Sequence, residues 1–165
     1  MRSLVLVLLC LAGGAARAEG FAVRDLTTIE AEARAALDRR FVARAEPKRL
    51  TLTCPECEGA PMIDILLGRQ DDGTEGRVRS GQTTMARMEA ICQARSPDCR
   101  LSAISVAPAV GWITTYAIGS TAGSTAILLR DGDLLTIRSL AGGQAVASKN
   151  ARTLAASIAP RIVGR

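Results

Sequence analysis

The chain contains no histidine. That absence removes imidazole acid–base chemistry, Ser-His and Cys-His nucleophile pairs, histidine ligation of haem, and most zinc and copper sites. Aromatic residues are almost as scarce, with Phe21, Phe41, Trp112 and Tyr116 the full set. Four rings are too few for a sugar-stacking platform or an aromatic cage, and they leave the core to aliphatic side chains. No G-x-x-x-x-G-K-[ST] stretch occurs, so nucleotide hydrolysis has no support. Past the first residues no apolar run approaches the ~20 residues that a membrane-spanning helix needs.

What is present begins with MRSLVLVLLCLAGGAARAEG. Arg2, the apolar run Leu4 to Leu11 and the small-x-small triplet Ala16-Arg17-Ala18 form the pattern of an export signal cleaved after Ala18. Cys10 follows Leu8-Leu9, where a lipid attachment site wants a small residue. The sequence therefore predicts a signal peptide over 1–18, a periplasmic or secreted product over 19–165, and no membrane span. Cleavage removes Arg2 and Arg17 and lowers the net charge from +5 to +3. So mild a bias argues against nucleic acid as a partner. The remaining length is that of one ordinary domain, and no repeat or linker divides it.

Hydrophobic spacing gives the order of elements. Leu26, Ile29, Ala33, Leu37 and Phe41 recur at helical intervals and predict a helix over Asp25–Ala45, capped by Asp25 or a Thr27/Glu30 box and ended by Pro47. Arg49–Thr53 alternates as a half-buried strand, and Met62–Leu67 reads as its hairpin partner. Thr83–Ala94 is a second helix with Met85, Met88 and Cys92 inward. Strands follow at Arg100–Ala107, Gly111–Gly119, Ser124–Arg130 and Leu134–Leu140, the last two joined at Asp131-Gly132-Asp133, a strong hairpin signal. A helix over Ser148–Val163 closes the chain. The fold class is α+β: a single domain whose antiparallel sheet, a hairpin plus a meander, packs with three helices in the order α-β-β-α-β-β-β-β-α. That order resembles profilin-like or roadblock-like sandwiches, a likeness of topology that carries no function.

Cys54, Cys57, Cys92 and Cys99 are the cysteines left after export. An even count in an oxidising compartment predicts two disulfides. If the second helix runs back along the second strand, all four thiols gather at one pole. Long-range links, Cys54–Cys99 with Cys57–Cys92 or the crossed pair, then close the larger loops and stabilise most. The local pairing Cys54–Cys57 with Cys92–Cys99 is the alternative. Cys-Pro-x-Cys also resembles one zinc-ribbon knuckle, but Cys92…Cys99 lacks the matching spacing. It resembles the thioredoxin-like redox motif too, without the helix that should follow it.

Gly68–Gln82 reads as a fifteen-residue polar loop, long enough to suggest a contact surface. Arg77 and Arg79 stand just before Ser80-Gly81 and Thr83 at the start of the second helix, where free N–H groups and guanidinium forks favour an anion. Glu56, Glu58, Asp71, Asp72 and Glu75 fall in wet, turn-like stretches. Trp112 and Tyr116, four apart on one strand, share a face that serves core packing or a small partner-binding patch. The sequence predicts a non-catalytic accessory or binding protein without metal or cofactor. It contacts a partner protein or small anion through Gly68–Gln82, at Arg77, Arg79, Ser80, Gly81 and Thr83. The alternative is a thiol–disulfide oxidoreductase or metal-handling protein using Cys54 and Cys57.

Overall fold

The computed structural model describes residues 20–165; the export-signal reading of residues 1–18 lies outside them. A 3-10 turn at Leu26–Ile29 leads into helix α1 (Glu30–Leu37). Strands β1 (Val42–Glu46), β2 (Arg49–Thr53) and β3 (Met62–Arg69) follow, then helices α2 (Thr74–Arg79) and α3 (Met85–Gln93). Strands β4 (Arg100–Ala103), β5 (Val110–Ile118), β6 (Thr121–Arg130) and β7 (Asp133–Ala141) precede α4 (Gln144–Ser157) and α5 (Ala159–Val163). The seven strands form one antiparallel sheet in the order β1-β2-β3-β7-β6-β5-β4. Among the described residues no helix is long and apolar enough to cross a membrane.

Period-two alternation decides which face each side chain occupies. On one face Leu50, Ile65, Ile137, Ala126 and Ile113 stand opposite one another across five neighbouring strands, and all are buried. α4 packs on β6 and β7 over this row and against α1. Its sheet-facing positions Ala147, Ala151, Leu154 and Ala155 are buried, and the small ones allow the helix to approach closely. The chain start is tied in where Val23 N–H donates to the Ile162 carbonyl (3.1 Å).

The expected first helix is half right. Asp25 caps it through its carboxylate, which accepts from Thr27 N–H at 2.9 Å. The helix stops at Leu37, because Asp38 Oδ1 accepts from Arg40 N–H (2.9 Å) and turns the chain. Val42–Glu46 is then a strand paired with β2 across the turn at Pro47-Lys48. Phe41 is buried as the helical stripe suggested, but from a strand entrance. The predicted structureless loop Gly68–Gln82 is also overturned: β3 extends to Arg69, and Thr74–Arg79 is helical. The final helical region begins at Gln144, ahead of Ser148. The Asp131-Gly132 turn matches expectation, both residues holding positive φ (52° and 79°) as a tight hairpin requires. The sheet thus has seven strands where six were expected, with five helices in place of three.

Ser139 of β7 and Ser124 of β6 face each other on the helix-covered side, both fully buried. Neither hydroxyl has a hydrogen-bond partner, and a buried hydroxyl in that state costs about 1–3 kcal/mol. Replacing both by alanine should preserve the fold and raise the unfolding free energy by roughly 1–2 kcal/mol. The check is a higher denaturant midpoint at an unchanged m-value.

Candidate functional site

The two cystine bridges are Cys54–Cys57 and Cys92–Cys99. The long-range pairing favoured from loop entropy is therefore corrected to the local one. The strand order explains why. Strand directions do put the end of β2 and the start of β4 at the same end of the sheet, as the one-pole argument required. But β2 and β4 are five strand spacings apart, on the order of 24 Å of sheet width. Pairing of β3 with β7 rather than β4 sends β4 to the far edge and creates that distance, and nothing local in the sequence announces it.

The anion-site residues have intramolecular partners. Arg77 donates to the Asp72 carbonyl and the Thr74 hydroxyl, each at 2.9 Å. Arg79 pairs with Glu75 (2.7 Å) and donates to the Pro108 carbonyl (2.7 Å). Glu75 in turn accepts from Gly132 N–H, tying α2 to the β6–β7 turn. The Ser80 hydroxyl donates to the Arg77 carbonyl, Gly81 takes positive φ, and Thr83 N–H donates to the Arg77 carbonyl. Thr84, one residue on, caps α3. Asp72 sits below the ordinary carboxylate pKa, chiefly through the Thr74 hydroxyl and N–H. Among the described residues no group of three or more His, Cys, Asp or Glu side chains is placed to hold a metal ion.

The sheet face away from α4 divides into two halves. On the β2–β3–β7 half, Asp64 is 1% exposed although no helix covers it. Arg49 (2.7 Å), Arg138 (2.8 Å) and the Thr51 hydroxyl (2.9 Å) enclose its carboxylate. Burial pushes the Asp64 pKa up. Hydrogen bonds from Arg138, Arg49 and Thr51, with the charge of Arg49, outweigh it and hold the carboxyl below its usual range.

The β4–β5 half is apolar. There α3 lies beside the edge strand, and Glu89 accepts from the outward Leu101 N–H (2.9 Å) while Gln93 donates to the Cys99 carbonyl (3.2 Å). Met88, Ile91 and Cys92 of α3 face Leu101, Trp112, Tyr116 and Ile118 across a groove of about 510 Å³. Tyr116 reaches Thr125 Oγ1 at 2.9 Å, its ring lying where any side chain at Gly123 would collide. Ile91 is 56% exposed and Ile118 60%. The shared face of Trp112 and Tyr116 was legible from their spacing. The groove was not, because Thr83–Ala94 carried no sign of which strands it would meet.

Because the folded pKa of Asp64 is depressed, its contribution is complete above the unfolded value of about 4 and fades as pH falls below it. Asp64→Asn should cost about 2 kcal/mol at pH 7, the two exposed arginines regaining water. The gap from the parent should narrow below pH ~4, as urea titrations at both pH values would read. Comparison with known proteins adds no identity: no protein-family model matches this chain, and no curated protein matches it significantly.

Proposed function

We propose that this protein is exported and acts by binding, holding an apolar, acid-flanked segment of a partner protein in the groove between α3 and β4–β5. The observation that carries this reading is the groove's composition. It collects Trp112, Tyr116, Met88, Ile91, Leu101 and Ile118 in a chain otherwise poor in aromatics. Tryptophan, tyrosine, methionine and arginine are the residues enriched at protein interfaces. Arg95 lines the groove, and Arg87 stands one turn before Ile91 on α3. Neither arginine has a carboxylate partner among the described residues. That rim favours acidic residues in the occupant.

Glu89 and Gln93 cover the outer edge of β4, which disfavours addition of a partner strand there. The occupant that fits is an amphipathic helix laying apolar side chains into the groove. The Arg77–Thr83 stretch is left out of the contact because its arginines already hold intramolecular partners. The leader-like N-terminus supports export, and the two disulfides fit an oxidising compartment.

A photo-crosslinking residue at Ile91 or Ile118, in protein expressed in native cells, should capture one partner that a probe at Lys149 does not. Ile91→Asp with Ile118→Asp should weaken that complex at least tenfold without moving the melting temperature, both side chains being exposed. Arg87→Glu with Arg95→Glu should weaken it comparably and flatten its salt dependence. Equal capture from Lys149, or unchanged affinity in both double variants, overturns the reading.

A further inference from the structure

We infer that Cys54–Cys57 is an exchangeable disulfide, attacked at Cys57 by a small carboxylate-bearing thiol that binds in the cavity between the β2–β3 turn, α1 and α4. This activity is separate from the groove. Three observations converge on it.

The first is that the fold holds this turn without the bridge. Cys54 N–H donates to the Pro61 carbonyl (3.0 Å), Cys57 N–H to the Cys54 carbonyl (3.1 Å) and Ala60 N–H to the Cys57 carbonyl (2.9 Å). Gly142 N–H, from the β7–α4 turn, donates to the Gly59 carbonyl at 2.8 Å. A link between residues three apart also closes the shortest of loops, where chain-entropy stabilisation is least. Cys92–Cys99 differs, because it fastens α3, a helix with no fully buried residue, to the start of β4.

The second is access to one sulfur. Cys54 is 1% exposed, whereas Cys57 is half-buried and lines a cavity of about 360 Å³. That size lies within the range of small-molecule sites. Leu37, Phe41 and Val146 form apolar wall beside Cys57.

The third is the polar equipment of the same cavity. Asn150 lines the cavity, and its side-chain amide nitrogen has no hydrogen-bond partner. Lys149 lines the cavity and has no carboxylate partner among the described residues. Two acids also line the cavity: Asp38 is paired with Arg40 (2.8 Å), and Glu58, like Lys149, is exposed at its rim, where water screens its charge. A carboxylate placed between Asn150 and Lys149 would hold its own thiolate toward Cys57.

The chemistry balances as ordinary exchange. The incoming thiol sheds its proton, its sulfur attacks Cys57 Sγ, and the Cys54–Cys57 bond breaks. Cys54 Sγ leaves with the bonding electrons and takes up a proton, leaving a mixed disulfide on Cys57. A second thiolate then attacks the small-molecule sulfur of that mixed disulfide. The products are the oxidised small molecule and a Cys57 thiol, so two thiols are oxidised as one protein disulfide is reduced.

The test treats oxidised protein with 3-mercaptopropionate or with cysteamine, thiols of similar length and opposite charge. Alkylation and peptide mass mapping then read each bridge. Cys54–Cys57 should open at least tenfold faster than Cys92–Cys99, with the adduct on Cys57. Corrected for thiolate fraction, 3-mercaptopropionate should react at least threefold faster than cysteamine. Lys149→Ala or Asn150→Ala should erase that preference. Cys54→Ser with Cys57→Ser should keep the parent's Trp112 emission and melt within a few degrees of it. Faster opening of Cys92–Cys99, an adduct on Cys54, no carboxylate preference, or a preference that survives both cavity variants overturns the proposal. None of these readouts depends on partner binding at the groove.

Discussion

The close approach of α4 to the middle of the sheet is the contact on which the rest of the molecule depends. Ala147, Ala151 and Ala155 keep that helix surface shallow, so Leu128, Leu135 and Ile137 fill the layer beneath it. Each is fully buried, which is worth on the order of 1.5–3 kcal/mol per side chain. Pleating then fixes the other face, because every residue between these must point away. Thr125, Ile127, Thr136 and Arg138 are therefore turned outward by a choice made on the opposite side. The helices that close the core leave no second layer over the β2–β3–β7 half, and that half has to be compatible with water. It solves this with threonines and with Arg49–Asp64–Arg138, which covers an acid by means of its own arginine stems. The β4–β5 half has no such ion network, and the apolar side chains collected there are the ones the proposed partner would cover.

The two sheet edges are handled differently, and the difference shapes that groove. An edge strand exposes unpaired N–H and C=O groups that invite another chain. At β1 the edge is short and alternates Arg44 with Glu46, which pair with each other at 3.0 Å. At β4 the edge is covered by α3, whose Glu89 and Gln93 substitute side-chain groups for a neighbouring strand. A helix placed there to satisfy backbone groups cannot also sit squarely over Trp112 and Tyr116. The space left between them is a consequence of edge protection, and its apolar lining is the feature on which the proposed binding rests.

Much of this was legible in the sequence, for reasons that are local. The Arg49–Thr53 alternation, the Asp131-Gly132 hairpin and the alanine-rich closing helix each depend on neighbours within a few residues. The misreadings arose where local signals agreed with more than one structure. Phe41 continues the helical spacing of Leu26, Ile29, Ala33 and Leu37, yet Asp38 had already turned the chain. Thr74–Arg79 carries a glycine and three charged residues within a polar, glycine-punctuated stretch, but its helix is fixed by Gly132 and Pro108, distant in sequence. Strand order was beyond reach for the same reason. The position of β7 between β3 and β6 is a long-range pairing, and the cysteine pairing, the groove and the Cys57 cavity all follow from it.

The two disulfides close similarly short stretches of chain yet do opposite work. α3 buries no residue completely, so its position rests on two side-chain hydrogen bonds and on Cys92–Cys99. That bridge holds one wall of the groove on which the proposed binding rests. The Cys54–Cys57 turn is secured by backbone bonds on both flanks and by docking of Gly59 against Gly142. Opening it removes no wall of the groove, and the residues before and after the turn remain held by the β2–β3 ladder. A molecule in which one bridge is needed for shape and the other is not can let the second change state while the first stays closed. That separation across opposite sheet faces is the physical basis for proposing binding at the groove and exchange chemistry at Cys57 as independent properties.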